Sequence, residues 1–281
     1  MIRVAGNNLQ NVNYLSLDPI ERVIFNSLLS DPLTYAYQSM YELEFEITLR
    51  KNIMNSARLM NQSQAEFEVF ANSRCNPEFW TRTILGGFKL KSNVEPADAI
   101  EDIYLNSHLY GFECATAMLI IYYHSVLNTI DKQQFNRLFK NLYLYSWHAD
   151  SDLRLQNIDT EHLIPGDIVY FKNPDVNPRT PWWQGENAVV MEDGSYFGHG
   201  IGITSADQIL NFLNQNRRSG STRSAYLVKT LTRPHFRYLA NVTSMRTIIS
   251  NKPQLEVIHH DEPSIPSSKY LYYLNMFYLK K

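Results

Sequence analysis

The sequence predicts an α+β fold, with helices in the first half of the chain and an antiparallel sheet in the second. Up to about Tyr123, apolar residues recur at helical spacing. After Trp147 the period changes, and short β-rich runs alternate with turn signals such as Pro165-Gly166 and Asp193-Gly194. The chain has 281 residues, of which 44% are hydrophobic and 13% aromatic, so it can bury a full core.

The helical spacing and its interruptions predict the elements of the first half. Pro96 suits the first turn of a helix, and the paired glycines after Trp80 indicate a loop with an aromatic anchor at 73–91. The predicted helices span 19–29, 35–70 (one long helix or a pair), 96–104, a stretch from Cys114 to about Tyr123, 132–144 and 207–216.

Strands are predicted at 168–171, 187–191, 196–201 and 224–231. If Asp193-Gly194 forms a two-residue turn, Ala188 faces His199 across the resulting hairpin. Glu186 and His199 then share one face of the sheet as diagonal neighbours, with Cα atoms roughly 7–8 Å apart. A turn one residue longer would place them on opposite faces.

A single domain is predicted over residues 1–234, with 1–34 as an N-terminal helical extension that carries no motif. Residues 235–281 form a C-terminal tail, because 251–268 is rich in Pro, Ser, Asn and charge and resembles a linker. An aromatic stretch at 270–279 follows, and it either remains mobile or docks on the domain.

Composition limits the partners. The net charge is −2 with acids and bases interspersed, which argues against nucleic acid as a partner. No apolar run reaches ~18 residues, and the N-terminus lacks a basic segment before an apolar one, so we expect no membrane span and no signal peptide. The protein is expected to be made in the cytoplasm. Two cysteines are too few for a disulfide framework.

Cys114 is the candidate nucleophile, because it opens the apolar stretch that follows Gly111 and therefore lies in the first turn of a buried helix. A helix N-terminus favours an anion, so the thiol pKa is expected to fall below its free value of ~8.5. The alternative is a buried cysteine that packs as a small hydrophobe. Cys75, beside Pro77, is interpreted as a structural thiol.

Cys114, Glu186 and His199 together are the set that thiol acyl transfer needs. The imidazole takes the thiol proton, the carboxylate orients the imidazole or itself handles the proton, and the helix N-terminus with a side-chain donor supplies an oxyanion site. No His-x-x-x-His, Cys-x-x-Cys, calcium loop or phosphate loop is present. We therefore expect no cofactor, no metal and no calcium requirement.

Four successive motifs resemble the bacterial spore-coat transglutaminases, the protein-glutamine gamma-glutamyltransferases of endospore-forming bacteria. They are Tyr110 to Met118, Gly166 to Pro174, Trp183 to Asn187 and Phe197 to Gly202, and the resemblance runs in order from about residue 35 to 233. It implies a papain-like core and calcium-independent joining of glutamine to lysine side chains of spore coat proteins. It also implies a location in the spore coat. By motif matching, Cys114 is the nucleophile, and Glu186 and His199 are its catalytic partners.

Trp147, Trp183 and Glu113 are the candidate substrate-binding residues. Trp183 precedes Glu186 in a Pro-rich loop, where a rigid apolar wall would hold a glutamine or lysine stem and exclude water. Trp147 is equally well explained as core. Glu113 is a reserve catalytic carboxylate, although the helix dipole explains an acid at a helix start more simply. The alternatives to a transglutaminase are a papain-like cysteine peptidase or peptidoglycan amidase, which use water as second substrate, and a coat protein with an inert cysteine.

Overall fold

The computed structural model describes residues 1–9 and 16–244, and the backbone of Glu256–Val257. The described helices are α1 Pro19–Ser30, α2 Met40–Gln62, α3 Pro96–Leu105, α4 Cys114–Leu127, α5 Lys132–Leu138, α6 Ala206–Gln215 and α7 Phe236–Ser244. The described strands are β1 Ile2–Val4, β2 Asn7–Asn8, β3 Tyr35–Tyr37, β4 Glu66–Phe67, β5 Trp80–Arg82, β6 Phe88–Leu90, β7 Gly111–Phe112, β8 Tyr143–Leu144, β9 His148–Ala149, β10 Gln156–Asp159, β11 Ile168–Lys172, β12 Gly185–Val190, β13 Tyr196–Gly198, β14 Gly202–Thr204, β15 Tyr226–Arg233 and β16 Glu256–Val257.

The second half of the chain forms a six-stranded sheet in the order β10-β15-β11-β12-β13-β14, in which every neighbouring pair is antiparallel. Helices dominate the first half, so the predicted α+β class is confirmed. The sheet separates two apolar cores. Val189 and Met191 of the β12 side belong to the larger core with α2 and α4, whereas Ala188 and Val190 belong to a smaller core with α6. This alternation follows from the two-residue period of a strand.

Helix α4 is the central helix of the larger core. It begins at Cys114 as predicted, and all fourteen of its residues are buried. It packs against α2 and against β12 of the sheet. A helix that is apolar on every side can be stable in water only inside a protein, which is why this segment forms the centre of the fold.

The predicted boundaries of three other elements were wrong. The segment predicted as helix over 35–70 contains one helix, α2, which Ser39 caps and which ends before Ser63; strands β3 and β4 flank it. Helix α5 ends at Leu138, and β8 pairs with β6 inside the segment predicted as helix over 132–144. Residues 73–91, predicted as a loop, include β5 and β6. In the first two cases tertiary packing of short apolar runs overrode the local helical spacing, and in the third the pairing of β5 with β6 extended strand structure into the predicted loop.

The predicted hairpin register was also wrong. Met191 pairs with Ser195, so Glu192, Asp193 and Gly194 form a three-residue turn, with Gly194 at φ +81°. Ala188 consequently faces Gly198 rather than His199. This is the longer turn that places Glu186 and His199 on opposite faces, because one extra residue reverses the alternation.

Both ends of the described chain pack on this core. Strand β1 pairs with β3, and Ile24, Phe25 and Leu28 of α1 are buried in the larger core, so residues 1–34 contribute strands as well as a helix. Helix α7, which follows the predicted boundary at residue 234, packs against α2. The linker predicted at 251–268 falls outside the described residues except for β16, which pairs with β9, and the aromatic stretch at 270–279 lies wholly outside them. No helix among the described residues is both long and apolar enough to span a membrane.

Candidate active site

The N-terminus of α4 is closed by the side chain of Glu113. One carboxylate oxygen accepts the backbone N–H of Ala115 at 2.8 Å, and the other accepts the N–H of Thr116 at 2.7 Å and its hydroxyl at 2.8 Å. A carboxylate that caps a helix N-terminus interacts favourably with the helix dipole. The hydroxyl of Thr116 also accepts the backbone N–H of Ser146 at 2.9 Å, which ties the chain before Trp147 to this end of the helix.

The thiol of Cys114 is almost fully enclosed, since the residue is only 2% exposed. The side-chain amide of Asn187 donates to Sγ at 3.3 Å, and the thiol lies 3.7 Å from Oε2 of Glu113. Burial raises the pKa of Cys114 well above its usual value, the negative charges of Glu186 and Glu113 add to the rise, and the N–H groups of Asn187 oppose it. The helix start alone predicted a lowered pKa; burial beside two carboxyl groups reverses that direction.

Glu186 lies on β12 and is 0% exposed. Neither carboxyl oxygen has a hydrogen-bond partner among the described residues. Burial raises the pKa of Glu186 well above its usual value, as does the charge of Glu113; the backbone N–H of His199 partly offsets the rise without reaching hydrogen-bond geometry. A Cβ at Gly198 would lie 2.9 Å from Oε1, so the carboxyl group occupies space that only glycine leaves open.

The imidazole of His199 contacts residues of β4 and β7. Its Nε2 lies 3.2 Å from the carbonyl oxygen of Glu66, and its ring stacks on Phe112 with centroids 4.8 Å apart. Burial lowers the pKa of His199 to about 4, although the carbonyls of Glu66 and Phe112 act in the opposite direction. The ring is therefore neutral at neutral pH. Among the described residues, no hydrogen bond joins it to Cys114.

The β4 segment, defined here as residues 64–69, lies beside His199 and Trp183. It pairs in parallel with β7, just before Glu113, and Phe67 stacks on Trp183 at a centroid distance of 4.9 Å. Trp183 is half-buried and also contacts Phe212 edge-on. Trp147, in contrast, is 2% exposed and belongs to the larger core.

The structure thus brings Cys114, Glu186 and Glu113 together, with the backbone of His199 at their edge. Asn187 was not among the residues singled out from the sequence. Strand alternation offered a signal for it, because Asn187 shares the α4-facing side of β12 with Val189. Nothing in the sequence marked the β4 segment, which meets the site only through tertiary packing.

A nucleophile, an adjacent carboxyl of raised basicity and an N–H donor on the sulfur form a set that can transfer an acyl group through the thiol. Within the described part of the chain, no group of three or more His, Cys, Asp or Glu side chains is arranged to hold a metal ion.

Comparisons with known proteins identify the family. The family model described as "Protein-glutamine gamma-glutamyltransferase" matches residues 1–243. A protein of that name from Halalkalibacterium halodurans is 47% identical over 277 residues, covering 98% of this chain and 97% of the relative. Another from Bacillus cereus (strain B4264) is 46% identical over 213 residues, covering 76% of this chain and 77% of the relative.

Among solved structures, a transglutaminase from Geobacillus stearothermophilus, described as lacking its C-terminal extension, is 49% identical. Its TM-score is 0.70, and the match covers 73% of this chain and 99% of that chain. The packing of a cysteine-bearing helix on an antiparallel sheet is consistent with the papain-like core expected of such an enzyme. The chain therefore belongs to the family of protein-glutamine gamma-glutamyltransferases.

Proposed function

We propose that this enzyme joins protein glutamine side chains to lysine side chains through a thioester on Cys114, without calcium. The observation that carries the proposal is the buried thiol at the start of α4, beside the carboxyl of Glu186 and the amide of Asn187. The thiol proton passes to Glu186, and the sulfur attacks the glutamine carboxamide carbon. The amide nitrogen then takes that proton from Glu186, the C–N bond breaks, and ammonia leaves. A lysine amine then attacks the thioester, forms the isopeptide bond and regenerates the thiol.

Glu186 suits the role of proton acceptor better than His199 does. Its raised pKa brings the basicity of the carboxylate closer to that of the thiol, so that proton transfer is less uphill than to an ordinary carboxylate. His199 has a lowered pKa and directs Nε2 to the carbonyl of Glu66. We propose that His199 acts as a positioning residue that holds the β4 segment beside the site.

The enclosure of Cys114 favours transfer over hydrolysis, because water competes with lysine for the thioester. Since the residue is only 2% exposed, neighbouring residues must move to admit a side chain. We propose that Trp183, stacked on Phe67, forms one wall of the substrate channel and that Trp147 supports the channel from the core. We propose that Glu113, whose carboxylate accepts the N–H groups of Ala115 and Thr116, serves as a helix cap beside the thiol rather than as a substrate contact.

The substrates proposed are spore coat proteins, and the proposed site of action is the spore coat. The four motifs that resemble spore-coat transglutaminases support this assignment. In this proposal, both the glutamine donor and the lysine acceptor are side chains of spore coat proteins.

Incorporation of a biotinylated primary amine into a glutamine-rich protein tests the chemistry. We expect incorporation with EDTA present, a loss of at least about 10³-fold in Cys114→Ala, and most of the activity retained in Cys75→Ala, whose thiol is structural. A thioester trapped on Cys114 and detected by mass spectrometry would support the intermediate. Peptide-bond cleavage without incorporation, or equal losses in both folded cysteine variants, would contradict the proposal.

A further inference from the structure

Asn187 has an unusual environment for a buried amide. It is 1% exposed, and among the described residues the one hydrogen bond made by its side chain runs from Nδ2 to Sγ of Cys114, at 3.3 Å. Sulfur is a weak acceptor, and a buried amide is stabilised better by a carbonyl oxygen. A purely structural asparagine would therefore be expected to bond to oxygen, as Asn76 does with the carboxylate of Asp102 at 2.9 Å.

The position of Asn187 on the sheet explains how the amide reaches the sulfur. Asn187 pairs with Tyr170 on β11, and strand alternation places it on the side of β12 that packs against α4. The sulfur is consequently approached by an N–H donor from the sheet, and the carboxyl groups of Glu186 and Glu113 also lie close to it.

The negative charges around the thiol of Cys114 oppose its ionisation, and an N–H donor counters this effect. Burial and the two carboxyl groups all favour the neutral thiol, whereas the attack needs negative charge on sulfur. The N–H groups of Asn187 act in the opposite direction and favour the anion. A hydrogen bond becomes stronger when its acceptor carries a charge, so this bond gains strength as the proton leaves.

We propose that Asn187 is a catalytic residue whose side-chain amide stabilises the thiolate of Cys114 during attack on glutamine. The proton moves from sulfur to the carboxylate of Glu186, and the Nδ2–H group of Asn187 remains bonded to the sulfur as its charge develops. The inference rests on the proposed role of Cys114 as nucleophile. It identifies a hydrogen-bond donor to the sulfur that comes from strand β12 and not from helix α4.

The test measures the pH dependence of iodoacetamide alkylation in a Cys75→Ala background, where Cys114 is the sole thiol. We expect Asn187→Ala to raise the midpoint of alkylation by about one pH unit. Asn187→Asp keeps the shape, removes the donor and adds a negative charge, so it should raise the midpoint further. Differences in access change the plateau rate and not the midpoint. Amine incorporation should fall about tenfold in Asn187→Ala at neutral pH and recover partly at higher pH.

Asn76→Ala is the matched control, because it removes a buried amide that bonds to a carboxylate instead of the thiol. It should lower the melting temperature and leave the alkylation midpoint unchanged. An unchanged midpoint in Asn187→Asp, with a melting temperature close to that of the parent, would overturn the inference. Failure of the proposed nucleophile would appear separately, as full incorporation by Cys114→Ala.

Discussion

Glu186 and His199 are both almost fully buried, yet burial has opposite consequences for their chemistry. It raises the pKa of the carboxyl group and lowers that of the imidazole, because in each case the charged form loses its hydration. The carboxylate becomes a stronger base while the imidazole becomes a weaker one. This contrast supports our proposal that Glu186, and not His199, accepts the thiol proton.

We therefore expect Glu186→Gln to lower kcat/KM for amine incorporation by about 10²–10⁴-fold, the usual contribution of a general base. His199→Gln should lose about tenfold or less, because glutamine can still donate to the carbonyl of Glu66. Initial rates at saturating amine, together with circular dichroism to verify folding, check both values. A near-normal rate in Glu186→Gln would remove the carboxylate from the mechanism.

His124, on α4, offers a second test of burial at the residue scale. The imidazole bonds to Ser56 at 2.8 Å and stacks on Tyr104 with centroids 3.8 Å apart, and burial lowers its pKa to about 4. Since the folded-state pKa lies below the unfolded value, the unfolded chain binds the proton first. The stability that the neutral ring contributes is present above the unfolded pKa of about 6.5 and is lost as the pH falls towards 4.

The free energy of unfolding should accordingly fall between pH 7 and pH 5, with His124 contributing about 2 kcal/mol of the loss. His124→Gln cannot gain a proton and should lose less over the same interval. Urea unfolding of both proteins at the two pH values measures the difference, in which the titration of other groups cancels. An equal loss of unfolding free energy in both proteins between the two pH values would show that the fold does not hold His124 neutral.

At the scale of elements, the sequence predicted helix α4 well and the register of the β12–β13 hairpin poorly, for physical reasons. An unbroken apolar run such as α4 has no alternative to burial, so its environment follows from its composition. The hairpin register depends on whether its turn holds two residues or three, and Asp193-Gly194 is compatible with both. The face on which His199 lies was therefore not determined by the local sequence.

The turn before β14 shows how closely the β4 segment fits the sheet. Gly200 has φ +99°, and a Cβ there would lie 2.9 Å from the Cβ of Phe67. Gly194 has a similar φ of +81°, but a Cβ there would meet nothing within 4 Å. Both glycines thus adopt a positive φ, but of the two only Gly200 packs closely against another residue, Phe67.

Gly194→Ala should cost about 1 kcal/mol of stability through backbone strain alone, with unchanged amine incorporation. Gly200→Ala should cost more and also displace Phe67 from Trp183, so we expect faster alkylation of Cys114 and altered incorporation. Alkylation rates measured at one pH in the Cys75→Ala background compare the two variants. Equal alkylation rates would argue that the β4 segment does not control access to the thiol.

At the scale of the molecule, a buried charge cluster joins the two halves of the chain. Asp167, just before β11, accepts Arg50 of α2 at 2.9 Å and Arg233 at the end of β15 at 2.7 Å. Arg50 also bonds to Glu46 at 2.8 Å and lies over the ring of Phe236, at 4.5 Å from its centroid. The sequence could not reveal this cluster, because Arg50 and Asp167 are 117 residues apart and their burial depends on the completed fold.

Replacing the carboxylate of Asp167 should lower the free energy of unfolding, because it removes the ion pairs that join the two halves. Asp167→Asn keeps the volume but leaves the buried guanidinium groups of Arg50 and Arg233 without their shared counter-ion, and breaking a buried ion pair in this way costs about 3–5 kcal/mol. Urea unfolding measures the loss. The control is Glu161→Gln, which removes an exposed ion pair with Lys229 and should change stability little. A similar small change in both variants would show that α2 and the sheet are held together by apolar packing alone, whereas selective destabilisation of Asp167→Asn would make this cluster the electrostatic link between α2 and the sheet.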